Sequence, residues 1–326
     1  MPEGPQVARH ARMQGERLIG RRLRADSPNG RSDDVAVLVD GLELVGIEAV
    51  GKHLLYDFGD ERWLHVHLGR FGKFVAGDMP LREPQGVLRF RLFTDEVWYE
   101  LRGAIAVEMY DAEARERLMG RIGPNPLDRD ADPLAAYAKL AASRAPIGTL
   151  MMDQSVVGGI GNIYRSEVLF LNRVHPRTPS HLVPKKTWLA MWRDLERVMA
   201  DGAKIGKIVT TWPKDREHPK GAIRAGERFY VYHRTGLPCR HCGALIVTAT
   251  LANRSMFWCP DDQIEIRADE PDVTKRLGAK KKPSVAKAPA TGRVTAPKAP
   301  AKLPAKKLAA RASAASKISK RAPLGG

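Results

Sequence analysis

The sequence predicts an α+β fold: a strand-rich N-terminal part, a helical middle and a short cysteine-bearing β-hairpin. Three observations predict it. Apolar and polar residues alternate through much of the first 128 residues, the period turns helical beyond a Pro/Gly/Asp-rich stretch, and paired cysteines frame a β-branched segment. These shifts divide the chain at 1–128, 129–226, 227–264 and 265–326. With 326 residues and 43% apolar content, it is long enough for two ordinary domains with real cores.

The elements follow in order. "MPEGPQVARH" opens a helix, with Pro5 in its first turn. "WLHVHLG" alternates Leu64, Val66 and Leu68 with His65 and His67. With no third ligand nearby in sequence, the two histidines read as ordinary strand residues rather than a metal pair. "VLRFRLF" sets Leu88, Phe90 and Leu92 against Arg89 and Arg91, a half-buried strand, and "TDE" turns it into "VWYELRG", a hairpin. "GPNPLDRDADP" has the composition of an interdomain linker. Beyond it, "VPKKTWLAMWRDLERVMADG" places Trp188, Met191, Trp192, Leu195, Val198 and Met199 on one helical stripe, with Pro184 near its start and Gly202 just past its end.

"APIGTLMMDQSVVGGIGNIYRSEVLFLNRVHP" predicts two helical stretches around "GGIGN". Gly158, Gly159 and Gly161 permit a tight turn with close backbone approach, and Asn162 is a suitable N-cap. Such a helix start is an anion site, and a backbone phosphate is the expected anion in a basic protein. A plain glycine-rich connection is the alternative.

In the hairpin, Cys239-x2-Cys242 is followed, after sixteen intervening residues, by Cys259, and Cys-x2-Cys spacing would put a fourth ligand at Asp262. Two such knuckles close a tetrahedral zinc site, and a carboxylate is an accepted if less common ligand. Asp261 and His241 are alternatives, as is a finger that has lost its metal. "ALIVTATLANRSMFW" between the knuckles has hairpin composition.

The net charge of +17 is uneven. Residues 271–326 hold fifteen Lys or Arg and one acid, Asp272, with no aromatic residue, so a disordered arm is expected. It serves either as a solubilising tail or, preferred here, as a polyanion arm that releases counterions from phosphates. No run of eighteen apolar residues occurs and the first 25 lack a signal-peptide core, so neither membrane insertion nor secretion is expected. An odd count of three cysteines argues for a reducing compartment, and a cytoplasmic, nucleoid-associated protein is expected.

Together, "MPEGP", "GKHLL", "HLGRFG", "IGPNPL", "DQSVVGGIGNIYRSE" and "HRTGLPC…ANRSMFWCP" resemble, in order and spacing, the family of bacterial formamidopyrimidine-DNA glycosylase and endonuclease VIII. The resemblance covers residues 1 to about 263. It implies a two-layered β-sandwich joined to a helical domain with a helix–two-turn–helix motif and a zinc-finger hairpin carrying one structural Zn2+. It also implies base-excision repair: a DNA glycosylase with AP lyase activity, acting as a monomer on double-stranded DNA with oxidised bases or abasic sites.

In the family, Met is removed and the proline amine becomes the nucleophile. That role falls on Pro2, with Glu3 as proton donor and Lys52 holding the phosphate or sugar near the lesion. An α-amino group titrates near neutrality, so a useful fraction is reactive without deep burial. The helix start is expected to lower the amine pKa further and to favour a charged Glu3. In the loop that fills the void left by a flipped base this chain has Arg70, where relatives use Met or Leu, followed by Phe71, and both are expected DNA contacts; Asn162 and Arg254 match the family's phosphate-binding residues.

The chain departs from the pattern in places. Gln6 replaces a glutamate, which removes a supporting carboxylate. "YELRGAIAV" lacks the "DPRRFG" pattern of the formamidopyrimidine branch. With the short "PKDREHPKGAIR" loop, this favours the endonuclease VIII branch and oxidised pyrimidines; the same chemistry on 8-oxoguanine or formamidopyrimidine is the first alternative, and a non-catalytic damaged-DNA binder the second.

Overall fold

The computed structural model describes residues 2–266, so the expected basic arm, 271–326, lies outside the described residues. Helix α1 (Gly4–Leu18) opens the chain with Pro5 in its first turn. Strand β1 (Arg24–Asp26) and the short helix α2 (Asp33–Val39) lead to β2 (Gly46–Val50), β3 (His53–Asp57) and β4 (Trp63–His67). Then come β5 (Lys73–Asp78), β6 (Leu88–Phe93), β7 (Val97–Arg102) and β8 (Ala106–Tyr110), followed by α3 (Ala112–Arg121).

The strands form two antiparallel four-stranded sheets, ordered β1-β6-β7-β5 and β2-β3-β4-β8. One core lies between them: Phe90, Leu92, Tyr99 and Leu101 from the first face Leu54, Leu64, Val66 and Val107 from the second, with Val7 and Leu18 of α1. Each such side chain contributes about 1.5–3 kcal/mol on burial.

Two further helices interrupt the part expected to be mostly strands after its opening helix. Helix α2 has seven residues, too few to display a period, and buries Val35, Ala36 and Val39. In α3, Asp111 caps the first turn by accepting from the Ala114 amide at 2.8 Å. Arg91 of β6, expected on the polar face, is buried, and its Nε donates to Asp26 of β1 at 2.9 Å. Tertiary pairing overrides alternation there.

The helical part contains α4 (Pro133–Ala141), the single turn α5 (Ile147–Leu150), α6 (Asn162–Leu171) and α7 (Lys185–Ile205). The tryptophan stripe of α7 is buried as expected. The helix, however, runs past Gly202 to a left-handed cap at Gly206, with φ +77°. Gly202 serves packing instead, since a Cβ there would lie 2.3 Å from the Tyr164 hydroxyl. Nor are there two full helices around "GGIGN": only α6 is one, and α5 gives way to hydrogen-bonded turns. The "GPNPL" stretch is not a free linker. Gly123 donates to the Gln154 carbonyl at 2.8 Å and the Pro124 carbonyl accepts from Gly158 at 2.9 Å.

The hairpin β9 (Val247–Leu251) and β10 (Arg254–Trp258) ends the described chain. Glu167 of α6 anchors its approach. This fully buried carboxylate accepts from the amides of Tyr230, Val231 and Tyr232 at 2.8, 2.9 and 2.8 Å and also bonds Thr210. Glu167→Ala is expected to leave three enclosed amides unpaired and to cost about 3 kcal/mol or more, read from urea denaturation. No helix among the described residues is long and apolar enough to cross a membrane.

Candidate active site

The amides at the N-terminus of α6 are taken up by an acidic side chain of the protein itself. Glu3 is fully buried; its carboxylate accepts from the amides of Gly161, Ile163 and Tyr164 at 3.0, 2.9 and 3.4 Å. The expected phosphate at this helix start is therefore corrected to the Glu3 side chain. Asn162 is likewise not the N-cap. Gly161 is, and Asn162 is the first helical residue. Its amide donates to the Ser255 carbonyl at 2.8 Å and its oxygen accepts from Arg165, which ties α6 to β10.

Glycine makes this approach possible. A Cβ at Gly161 would lie 2.4 Å from Glu3 Cδ, and one at Gly4 would lie 2.8 Å from Gly159 Cα. The Gly4 amide donates to the Gly159 carbonyl at 2.8 Å, so the first residues are sewn to the turn. Gln154 holds that turn from behind, accepting from Gly159 N–H and donating to the Ile160 carbonyl, each at 3.0 Å. Gln6 fills the place of the missing carboxylate without loss of the cap, because its amide oxygen accepts from Glu3 N–H at 3.0 Å.

Burial raises the Glu3 pKa, against the attraction of Lys52 and the three amides. Burial thus works against the charged Glu3 expected from the helix start, which the three amides and Lys52 favour. Lys52 is lowered by burial, with Arg254 and Arg165 adding repulsion and Glu3 opposing it. These couplings place Glu3, Lys52, Arg165 and Arg254 in one electrostatic neighbourhood beside half-buried Pro2. Arg70 joins through Tyr232, whose ionisation both Arg70 and Glu3 influence. Phe71 stands 77% exposed at the tip of the β4–β5 loop, with the Arg70 guanidinium 5.4 Å from its ring centroid.

Three contributors carried no role in the sequence reading. Arg165 is fully buried; its guanidinium donates to the Gly148 carbonyl at 2.8 Å, and burial lowers its pKa to about 10. Its signal was a lone cation in the buried-looking run "NIYRSEVLFL". Tyr232 and Gln154 gave no comparable signal.

His65 and His67 gain partners from neighbouring strands. His53 Nδ1 lies 2.8 Å from His65 Nε2, Glu108 approaches the other side of His65 at 3.3 Å, and the His53 ring stacks on His67 at 4.5 Å. Burial first, then mutual repulsion, drives His53 down to about 3, so this ladder is neutral at physiological pH.

In the hairpin, Cys239, Cys242, Cys259 and Asp262 bring one donor atom each within 4.8 Å of one another. Cys239 Sγ lies 3.3 Å from Asp262 Oδ2, and Cys242 Sγ lies 3.4 Å from Cys259 Sγ. A tetrahedral site with metal–sulfur bonds of about 2.3 Å has edges just under 4 Å, so the four donors fit a metal ion.

With this geometry in hand, kinship is decisive. Residues 1–105 match the formamidopyrimidine-DNA glycosylase N-terminal domain, and residues 122–214 match the formamidopyrimidine-DNA glycosylase H2TH domain. The chain belongs to the formamidopyrimidine-DNA glycosylase/endonuclease VIII family. It is 39% identical to Endonuclease 8 1 of Mycobacterium tuberculosis over 264 residues, which covers 80% of this chain and 98% of the relative. It is 31% identical to formamidopyrimidine-DNA glycosylase of Chloroflexus aurantiacus, covering 83% of this chain and all of that one. Its fold matches Lactococcus lactis Fpg, solved with abasic-site DNA, at a TM-score of 0.69 and 22% identity, over 81% of this chain and 100% of that one. As a member of this glycosylase family the protein is an enzyme, a DNA glycosylase acting on damaged DNA.

Proposed function

We propose that this glycosylase removes oxidised pyrimidines and cleaves the strand by β,δ-elimination through a Schiff base on Pro2, freed by loss of Met1. The observation that carries the reading is the fully buried Glu3, its carboxyl held on the α6 amides next to Pro2, with Lys52 in its field. The Pro2 nitrogen attacks C1′ as the glycosidic bond breaks, while Glu3 delivers its proton to the sugar ring oxygen and opens the ring. The resulting iminium is an electron sink. Loss of a C2′ proton then expels the 3′ phosphate, and a second elimination expels the 5′ phosphate.

Lys52 holds the phosphate or sugar at the lesion. Arg70 and Phe71 fill the void left by the flipped base, with exposed Phe71 free to stack. Arg254 and Asn162 grip the neighbouring phosphate; the bond from Asn162 to Ser255 brings the two together. The pyrimidine branch is supported by higher identity to Endonuclease 8 1 than to the formamidopyrimidine enzymes. Cys239, Cys242, Cys259 and Asp262 hold one zinc, whose contribution is to brace the hairpin that presents Arg254.

Borohydride trapping on duplexes carrying dihydrouracil, thymine glycol, 8-oxoguanine or an abasic site tests the reading. Covalent complexes are expected with the pyrimidine lesions and the abasic site. An uncleaved N-terminal extension is expected to abolish trapping while DNA binding persists. Trapping that survives the extension overturns the Pro2 mechanism, and trapping on 8-oxoguanine alone overturns the substrate class.

A further inference from the structure

The segment between α7 and β9 holds three metal-ligand side chains that the proposed chemistry leaves unused. Glu217, His218 and Glu227 bring one donor atom each within 4.8 Å of one another. Glu227 ends a one-turn 3-10 helix (Ala225–Glu227) and is only 4% exposed. Its Oε1 accepts from the His218 backbone amide at 2.8 Å and lies 3.0 Å from His218 Nδ1. Its Oε2 is sealed from solvent and has no hydrogen-bond partner among the described residues.

Neighbouring cations do not supply one. Arg216 donates to Thr211, Arg228 to the Ile208 carbonyl, and Arg240 to the carbonyls of Phe229, Asp215 and Gly226. A buried carboxylate with an open oxygen is costly unless it is paired or coordinates an ion. One imidazole and two carboxylates suit borderline divalent cations, whereas magnesium demands a full oxygen octahedron.

We propose that Glu217, His218 and Glu227 form a binding site for one divalent cation of the zinc–cobalt class, separate from the cysteine cluster. Three protein donors leave coordination positions for water, and the half-exposed His218 ring gives the ion an entry path. The ion would clip residues 217–218 to the chain entering the hairpin. This inference is independent of the Pro2 chemistry.

The test is titration of tag-free, full-length protein with Co2+, followed by calorimetry and visible absorption. Cobalt at the cysteine cluster announces itself by intense thiolate charge-transfer bands; cobalt at a nitrogen–oxygen site shows only weak d–d bands. One equivalent of the second kind is expected. His218→Ala and Glu227→Gln should each weaken it more than about tenfold, with thermal melting and hairpin metal content unchanged. Should Glu227→Gln melt early, His218→Ala decides alone. Absence of a charge-transfer-free equivalent, or unchanged affinity in His218→Ala, overturns the proposal.

Discussion

Glu3→Gln is expected to lower base excision by about 10²-fold or more, since a positioned proton donor typically contributes 10²–10⁴. Among the described residues the side chain's hydrogen bonds all come from backbone amides at the start of α6. A glutamine keeps one acceptor and turns an N–H toward them, so folding stability also falls, by about 1–3 kcal/mol. A pH series separates the two effects. Burial raises the Glu3 pKa above the usual 4.5, so its neutral form is the one the fold favours. Stability from that preference is complete below about 4.5 and is lost as pH rises through the elevated folded value.

Urea denaturation of both proteins from pH 4 to pH 8 should therefore show their difference shrinking as pH rises. A difference independent of pH would mean that Glu3 is not held protonated. Single-turnover excision should fall on the alkaline side as Glu3 ionises and on the acid side as the Pro2 amine gains its proton.

Gly161→Ala should be nearly as damaging to catalysis while leaving a folded protein. The new Cβ would sit 2.4 Å from Glu3 Cδ and 2.5 Å from Oε1, so the carboxylate must leave the helix start. Displacement of a catalytic group by about 1 Å commonly costs about 10²-fold, and overpacking adds about 1–3 kcal/mol of destabilisation. The measurements are kcat/KM on a dihydrouracil duplex and the melting temperature. Gly120→Ala in α3 is the control, since among the described residues nothing lies within 4 Å of where its Cβ would stand. Equal activity in the two variants would show that the Glu3–α6 contact does not position the acid.

How much of this was legible beforehand follows physical lines. The stripe of α7, the hairpin β9–β10 and the tight turn at "GGIGN" rest on local period and glycine chemistry, and all are present. Helix α2 was not legible, because seven residues show no period. The Gly202 stop failed because a glycine can serve close packing inside a helix as well as cap one. The anion at α6 failed for a different reason: charge composition says that a phosphate would be welcome, not that a carboxylate 158 residues away already occupies the site.

What this sequence determined by itself was the inventory: a proline–glutamate start, a lysine after Gly51, a glycine-rich helix entry and four spaced metal donors. Those are matters of residue type and spacing along the chain. Only the tertiary structure decided how they act. It folds Glu3 onto the amides of α6, buries it so that its pKa rises and sets Lys52 and Arg165 within its field. Desolvation and Coulomb coupling depend on distance through space and on the exclusion of water, and neither quantity exists until the segments have packed.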